Sequence, residues 1–258
     1  MARYALRLEY DGAGFVGWQR QASGVSIQQV LEEAAFHLNA GNPVASVVAG
    51  RTDAGVHADG QVALVDLAGE LPPVRVREAL NFHMKPHAVV VVEVARAPEG
   101  WNPRFSAIQR HYRYVVLNRR ARPALLAGRV WHVPGRFDAA AALEGARHLL
   151  GRHDFTTFRA SSCQAKSPIR TLERIDVRRT GDLVTIEVSA RSFLHHQVRN
   201  MVGTLKLVAE GKWAPERVAA ALVACDRRAG GPTAPPDGLS LVGVDYPEDP
   251  FGGVLGWS

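Results

Sequence analysis

Hydrophobic and polar residues alternate strictly along residues 3–10. Tyr4, Leu6, Leu8 and Tyr10 fall on one face, and mostly charged residues fall on the other. This period of two predicts a half-buried β-strand. In residues 26–40 the apolar positions instead recur at helical spacing, and Ser26 with Gln29 has the spacing of a capping box. The pattern therefore predicts an amphipathic helix directly after the first strand.

Similar patterns continue to the end of the chain. The first half adds strands at 44–49, 61–67 and 88–94 and a helix at 74–83. The second half adds strands at 112–117, 171–178, 183–190 and 239–244 and helices at 138–150 and 194–210. The first half reads β-α-β-β-α-β, and the second is a looser copy of it. We therefore predict an α+β fold of two pseudo-repeated split β-α-β halves, with a largely antiparallel mixed sheet flanked by helices. The predicted divisions are 1–100, 101–246 and a tail at 247–258.

Composition narrows the class of protein. The chain has 258 residues with 47% hydrophobic and 22% charged residues, as in ordinary globular proteins, and its apolar runs, such as 88–92, are too short to span a bilayer. Residues 1–12 lack the apolar core of a signal peptide. We therefore expect a cytoplasmic protein without a membrane partner. Two cysteines, Cys163 and Cys225, are too few for a disulfide framework or a four-cysteine zinc site.

Positive charge is concentrated in one segment. The whole chain carries +6, but residues 101–137 contain eight arginines and no acidic residue. Aromatic residues lie between these arginines, and this mixture suits the binding of phosphates and the stacking of bases. A solvated basic face over a strand with core aromatics would give the same pattern. On the strand at 112–117, Tyr112 and Tyr114 share a face, so one of them could stack on a base or both could be core.

The most unusual segment is residues 50–60, a loop with three glycines between two predicted strands. Arg51 lies two residues before Asp53 and could hold its carboxylate ionised, which would make Asp53 a nucleophile or a base. An Asx-type turn would be the structural alternative. A metal site from Asp53, His57 and Asp59, completed by His195 and His196, is a second alternative, but the spacing matches no recognised ligand motif.

No phosphate-binding loop and no nucleophile elbow occurs in the sequence, so we expect no nucleotide or flavin cofactor and no metal. In the predicted helix at 194–210, Arg199 lies close to an apolar stripe. Its side chain either extends to solvent or pairs with a buried acid.

Six blocks resemble the tRNA pseudouridine(38–40) synthase family, in the family's order. The loop sequence GRTDAGVH at 50–57 is similar to the family signature. The other blocks are YDG at 10–12 with GWQRQ at 17–21, RFSA at 104–107 with YRY at 112–114, DFTTFRA at 154–160, FLHHQVRNMVG at 193–203 and APPDGL at 234–239.

This resemblance implies a cofactor-independent isomerase that converts uridine to pseudouridine in the anticodon stem-loop of tRNA, acting on a flipped-out nucleotide. It implies that Asp53 is the catalytic aspartate and that Tyr112 is the active-site tyrosine. Arg199 would be the basic residue of the site, and Arg51 would guide the nucleotide. It also implies a homodimer with a central basic cleft.

Two other function classes fit the residues without the resemblance. A metal-dependent RNA or nucleotide hydrolase would use Asp53, His57 and Asp59. A non-catalytic RNA-binding module would depend on the basic segment alone.

Overall fold

The computed structural model describes residues 1–252, and this range contains ten β-strands and five α-helices. The strands are β1 (Ala2–Tyr10), β2 (Ser46–Val48), β3 (His57–Leu67), β4 (Val89–Arg96), β5 (Gln109–Leu117), β6 (Trp131–His132), β7 (Gly151–Asp154), β8 (Ile169–Thr180), β9 (Leu183–Ala190) and β10 (Leu239–Asp245). The helices are α1 (Ile27–Leu38), α2 (Pro73–His83), α3 (Ala139–Arg147), α4 (Gln197–Ala209) and α5 (Glu216–Val223). Antiparallel pairing dominates, with a parallel pair between β5 and β6. The predicted α+β class with a largely antiparallel mixed sheet is confirmed.

The chain forms two compact units. Unit 1 consists of Met1–Arg110 together with the chain from Leu241 onward, and unit 2 is His111–Ser240. In the predicted tail, Asp249 pairs with Arg7 at 3.8 Å, and the Arg7 guanidinium lies 4.5 Å from the ring centre of Phe251. The rest of that tail, 253–258, lies outside the described residues. None of the helices in the described part of the chain is long and apolar enough to cross a membrane.

Unit 1 contains a split β-α-β arrangement. Strands β1 and β2 both pair antiparallel with β3 and flank it, and β1 also pairs with β4. Helix α1 connects β1 to β2 and begins at Ser26, whose hydroxyl accepts the Gln29 N–H at 3.1 Å. Its buried stripe includes Ile27 and Leu31, as the helical periodicity predicted. Strand β10 lies beside β3 at Gly60, where a Cβ atom would be 2.6 Å from the Val242 carbonyl oxygen.

Unit 2 repeats this arrangement with additions. Strands β5, β9 and β8 lie in the same order as β1, β3 and β2, and α3 packs on β8 and α4. The turn between β8 and β9 contains Gly181 with a φ of 57°, which favours glycine. Strand β7 pairs with the outer edge of β8, and α5 packs on α3. Neither β7 nor α5 was predicted from the sequence pattern.

Candidate active site

The loop from 49 to 56 connects β2 to β3 and carries Asp53. Thr52 is buried, Asp53 is half-buried and Arg51 is exposed. The Val56 N–H donates to the Asp53 carbonyl at 3.1 Å, and Gly55 has a φ of 77°, so the chain turns sharply after Asp53. The sequence correctly placed this segment in a turn between two strands.

Thr52 is held from two directions. The Trp18 N–H donates to its carbonyl at 3.0 Å, and its hydroxyl lies 2.8 Å from the Tyr10 hydroxyl. The Gln61 Nε2 atom donates to the Tyr10 hydroxyl and, at 2.8 Å, to the Gly50 carbonyl. Burial raises the pKa of Tyr10 to about 12, so its phenol stays protonated. Because Thr52 directly precedes Asp53, this network fixes the backbone on the N-terminal side of Asp53.

Two glycines allow the neighbouring chain to approach the loop. Gly17 has a φ of 107°, and a Cβ atom there would lie 2.8 Å from the Thr52 carbonyl oxygen. At Gly12 a Cβ atom would lie 2.1 Å from the Val56 carbonyl oxygen. Any larger residue at either position would displace the loop backbone.

Arg110 holds the first residue of the loop by hydrogen bonds. Its buried guanidinium donates to the Ala49 carbonyl from Nε at 3.2 Å and from Nη2 at 2.7 Å. The same Nη2 atom donates to the Arg104 carbonyl at 2.8 Å. The sequence pattern placed Arg110 among the arginines that would bind phosphates, and for this residue that interpretation was wrong. A usable signal existed, because Arg110 shares the inward face of β5 with Tyr112 and Tyr114.

His57, a residue of the metal-site hypothesis, contacts the turn after β1. Its Nδ1 atom lies 3.1 Å from both the Gly12 nitrogen and Asp11 Oδ1. The hydrogen on a backbone nitrogen has a fixed direction, so we assign Nδ1 as the acceptor of the Gly12 N–H. In this assignment the Nδ1 atom of His57 holds the backbone at Gly12 by a hydrogen bond. Asp59 is exposed on β3.

In unit 2, the structure distinguishes the two tyrosines of β5. The Tyr114 side chain is fully buried, its hydroxyl donates to the Pro235 carbonyl at 2.8 Å, and burial raises its pKa. Tyr114 is therefore a core residue. Tyr112 is 9% exposed, and its ring meets Phe193 edge to face at 5.2 Å between centroids. Of the two, Tyr112 remains the candidate for contact with a substrate.

Arg199 lies on α4, half-buried, and is bound to the segment 231–235. Its Nε atom donates to the Ala234 carbonyl at 2.7 Å, and the Ala234 N–H donates to the Arg199 carbonyl at 3.1 Å. A Cβ atom at Gly203, one turn later, would be 1.7 Å from the Pro232 carbonyl oxygen. Only glycine allows the segment to lie this close to the helix.

A second arginine, Arg227, ties the same segment to α4. It donates to the Gly231 carbonyl at 2.8 Å and to Asn200 Oδ1 at 3.1 Å, and the Thr233 hydroxyl donates to that same Oδ1. Asn200 is itself buried and donates to the Phe158 carbonyl. The sequence analysis did not identify Arg227 or Asn200 as residues that hold the surroundings of Arg199.

Part of the basic segment at 101–137 is buried or ion-paired, although its sequence suggested a surface for phosphates and bases. Trp101, Tyr114 and Phe137 are buried, whereas Phe105 is 74% exposed. Three of the arginines lie within 4 Å of acidic residues outside the segment, in the pairs Arg113–Glu187, Arg119–Asp182 and Arg136–Asp138. Exposed arginines of the segment include Arg104, Arg120 and Arg122.

Comparison with known proteins covers nearly the whole chain. A family model described as tRNA pseudouridine synthase matches residues 8–106 and 146–247. A protein of Acidiphilium cryptum named tRNA pseudouridine synthase A is 68% identical over 97% of this chain and 99% of its own length. Proteins with the same name from Beijerinckia indica and Gluconobacter oxydans are 59% and 53% identical, each over 96% of this chain and over 95% and 91% of their own lengths. The chain belongs to the tRNA pseudouridine synthase family.

Proposed function

We propose that this chain is an isomerase that converts uridine to pseudouridine in tRNA, at positions 38–40 of the anticodon stem-loop and without a cofactor. Membership of the family and the whole-length likeness to proteins named tRNA pseudouridine synthase A support the reaction and the substrate class. The structure of the loop around Asp53 is the observation that assigns the chemistry to one residue in this proposal. It holds one half-buried carboxylate in a backbone fixed by Tyr10, Trp18 and Gln61.

The reaction breaks the bond from ribose C1′ to uracil N1 and forms a bond from C1′ to C5. The proton on C5 leaves, and N1 gains a proton, so atoms and electrons balance without a redox partner. An ionised Asp53 can attack the sugar or the base, or it can remove a proton to start glycal formation. A fixed carboxylate suits all three routes, because each needs the reacting atom within contact distance of one oxygen.

Tyr112, Arg51 and Arg199 bind the substrate nucleotide in this proposal. Tyr112 offers a ring for stacking on uracil and a phenol that can relay the C5 proton. Arg51 is exposed next to the buried Thr52, a position suited to guiding a flipped nucleotide by its phosphate. Arg199 is oriented by the bond from its Nε atom to the Ala234 carbonyl, and its guanidinium supplies the positive charge of the site.

The setting of the enzyme is part of the same proposal. A tRNA-modifying enzyme works where tRNA is used, which is consistent with a cytoplasmic location. The resemblance supports a homodimer with a central basic cleft, and both remain predictions.

Incubation of the purified protein with unmodified tRNA, followed by nucleoside analysis, tests the function. We expect pseudouridine to form, and we expect Asp53→Asn to reduce the rate by at least about a thousandfold while tRNA affinity and the unfolding midpoint stay near those of the unaltered protein. Asp66→Asn is the matched control, because Asp66 lies on β3, outside the loop of Asp53, pairs with Arg3 of β1 at 3.1 Å, and should leave the rate unchanged.

Two results would count against the proposal. Near-normal activity of Asp53→Asn would remove Asp53 from the chemistry. RNA cleavage that stops in EDTA, without any pseudouridine, would favour the metal-dependent hydrolase.

A further inference from the structure

We propose that Phe105 and Arg104 form a stacking subsite for a nucleobase of the RNA substrate, beside the loop that carries Asp53. The inference rests on the proposed function, because it assumes that the ligand is RNA. It assigns a binding role to two residues that the catalytic proposal does not use.

Phe105 stands out among the aromatic residues of the basic segment by its exposure. Its side chain is 74% exposed, whereas Trp101, four residues earlier, is buried against Tyr246 with ring centroids 5.0 Å apart. Exposed apolar residues are common singly, and exposure alone assigns no role. At Phe105, however, the exposed ring is combined with a rigid backbone and an adjacent cation.

The backbone around Phe105 is locked by its own turn. The Asn102 side-chain oxygen accepts the N–H groups of Arg104 at 2.9 Å and Phe105 at 3.2 Å. The Ser106 N–H donates to the Asn102 carbonyl, and the Asn102 N–H donates to the Ser106 hydroxyl. Because the turn is fixed before any ligand arrives, presentation of the ring costs little ordering entropy on binding.

Arg104 gives the exposed ring a chemical preference. Its guanidinium carbon lies 5.5 Å from the ring centre of Phe105, and the side chain is exposed. An aromatic face next to an arginine can hold a base by stacking and its phosphate by charge. A protein partner of ordinary apolar character would have to desolvate this cation, so the pair favours RNA.

Arg110 connects this turn to the loop of Asp53. A single nitrogen, Nη2, donates to the Arg104 carbonyl at 2.8 Å and to the Ala49 carbonyl at 2.7 Å. Ala49 begins the loop, and Asp53 follows four residues later. The turn and the loop therefore lie side by side within unit 1, which suits a base near the target nucleotide.

Equilibrium binding of a tRNA transcript tests the subsite. Base stacking on an aromatic residue contributes enough that Phe105→Ala should weaken binding by about tenfold or more, whereas Phe105→Tyr should stay within about twofold. Ile108→Ala is the matched control, since Ile108 is 51% exposed three residues later and should bind tRNA normally. Equal affinities for Phe105→Ala and Ile108→Ala would overturn the proposal.

A second probe separates stacking from charge and from protein contact. Phe105→Trp should lose more indole fluorescence than the unaltered protein, which has five tryptophans, when tRNA is added, but not when heparin, a polyanion without bases, is added at the same salt concentration. Equal quenching by both, or a change of oligomeric state in Phe105→Ala, would refute a base-stacking role. Pseudouridine formation by the unaltered protein is measured in parallel, and its absence would refute the proposed function while leaving the binding result intact.

Discussion

The two units place their candidate functional residues on different kinds of segment. In unit 1, Asp53 lies on a loop, and this loop is itself held by hydrogen bonds to its carbonyl groups and by two close glycine approaches. In unit 2, Tyr112 and Arg199 lie on a strand and a helix, and hydrogen bonds to carbonyl groups and a close approach at Gly203 hold the neighbouring segment at 231–235 instead. The comparison teaches that a residue on an irregular segment needs its own backbone held, whereas a residue on a regular element is positioned by the fold and needs the segment beside it held.

Among the variants that test this comparison, the largest effect is expected from removing one oxygen atom from a residue of β5. Tyr112→Phe keeps the ring and its contact with Phe193 but removes the phenol that we propose as the relay for the C5 proton. Turnover at saturating tRNA should fall by about a hundredfold or more, with tRNA affinity within about threefold. Tyr114→Phe, the control on the same strand face, loses the bond to the Pro235 carbonyl and should cost about 1 kcal/mol of stability with little change in turnover. Equal losses of turnover in the two variants would show that the phenols matter only for folding.

The packing in unit 2 is tested by adding one methyl group. Gly203→Ala would place Cβ 1.7 Å from the Pro232 carbonyl oxygen, so the segment at 231–235 must move. We expect a loss of at least about 3 kcal/mol in the free energy of unfolding, measured with urea. Gly145→Ala on α3 is the control, because its Cβ would meet only side-chain carbons at 3.1 to 3.5 Å, and it should stay within about 1 kcal/mol. Similar losses of stability for both variants would mean that the segment at 231–235 moves away from Gly203 at little energetic cost.

The hydrogen bonds of unit 1 are tested at Arg110. Arg110→Met removes the donors to the Ala49 and Arg104 carbonyls, so stability should fall by about 2 to 3 kcal/mol. Turnover at saturating tRNA should fall about tenfold or more, because the loop of Asp53 is less well placed. Arg113→Met, on the same strand, loses a half-exposed pair with Glu187 at 3.8 Å and should change stability by about 0.5 kcal/mol or less. If Arg110→Met lowers stability but not turnover, the loop of Asp53 keeps its conformation without the hydrogen bonds from Arg110.

The regular elements of the fold were largely predictable, because periodicity and caps are local signals. The helix predicted at 26–40 begins after its Ser26 cap, and the strands predicted at 171–178 and 183–190 form the antiparallel pair β8 and β9. The second part of the capping box, in which the Gln29 side-chain oxygen would accept the Ser26 N–H, was wrong, since the Gln29 side chain instead donates to Glu33. Helix α5 was missed although Pro215 and Glu216 are a recognisable start signal.

The residues that hold the candidate site were harder to predict. Asp53 was identifiable from its glycine-rich loop, but its supports come from distant positions such as Tyr10, Gln61 and Arg110, and pairing across such distances leaves no local pattern. Charge misled the interpretation at Arg110, because a run of arginines without acidic residues predicts a solvated surface. The alternation of β5 carried the better signal, since it placed Arg110 on the buried face.

The close approach at Gly203 also limits how related sequences can vary. A residue with a Cβ atom at this position is incompatible with the observed path of the chain at Pro232. The two positions are 29 residues apart, so a substitution at Gly203 requires that the segment at 231–235 take another path. A relative that lacks this glycine should therefore carry an altered loop before β10, and the pair can serve to recognise chains in which the surroundings of Arg199 have been remodelled.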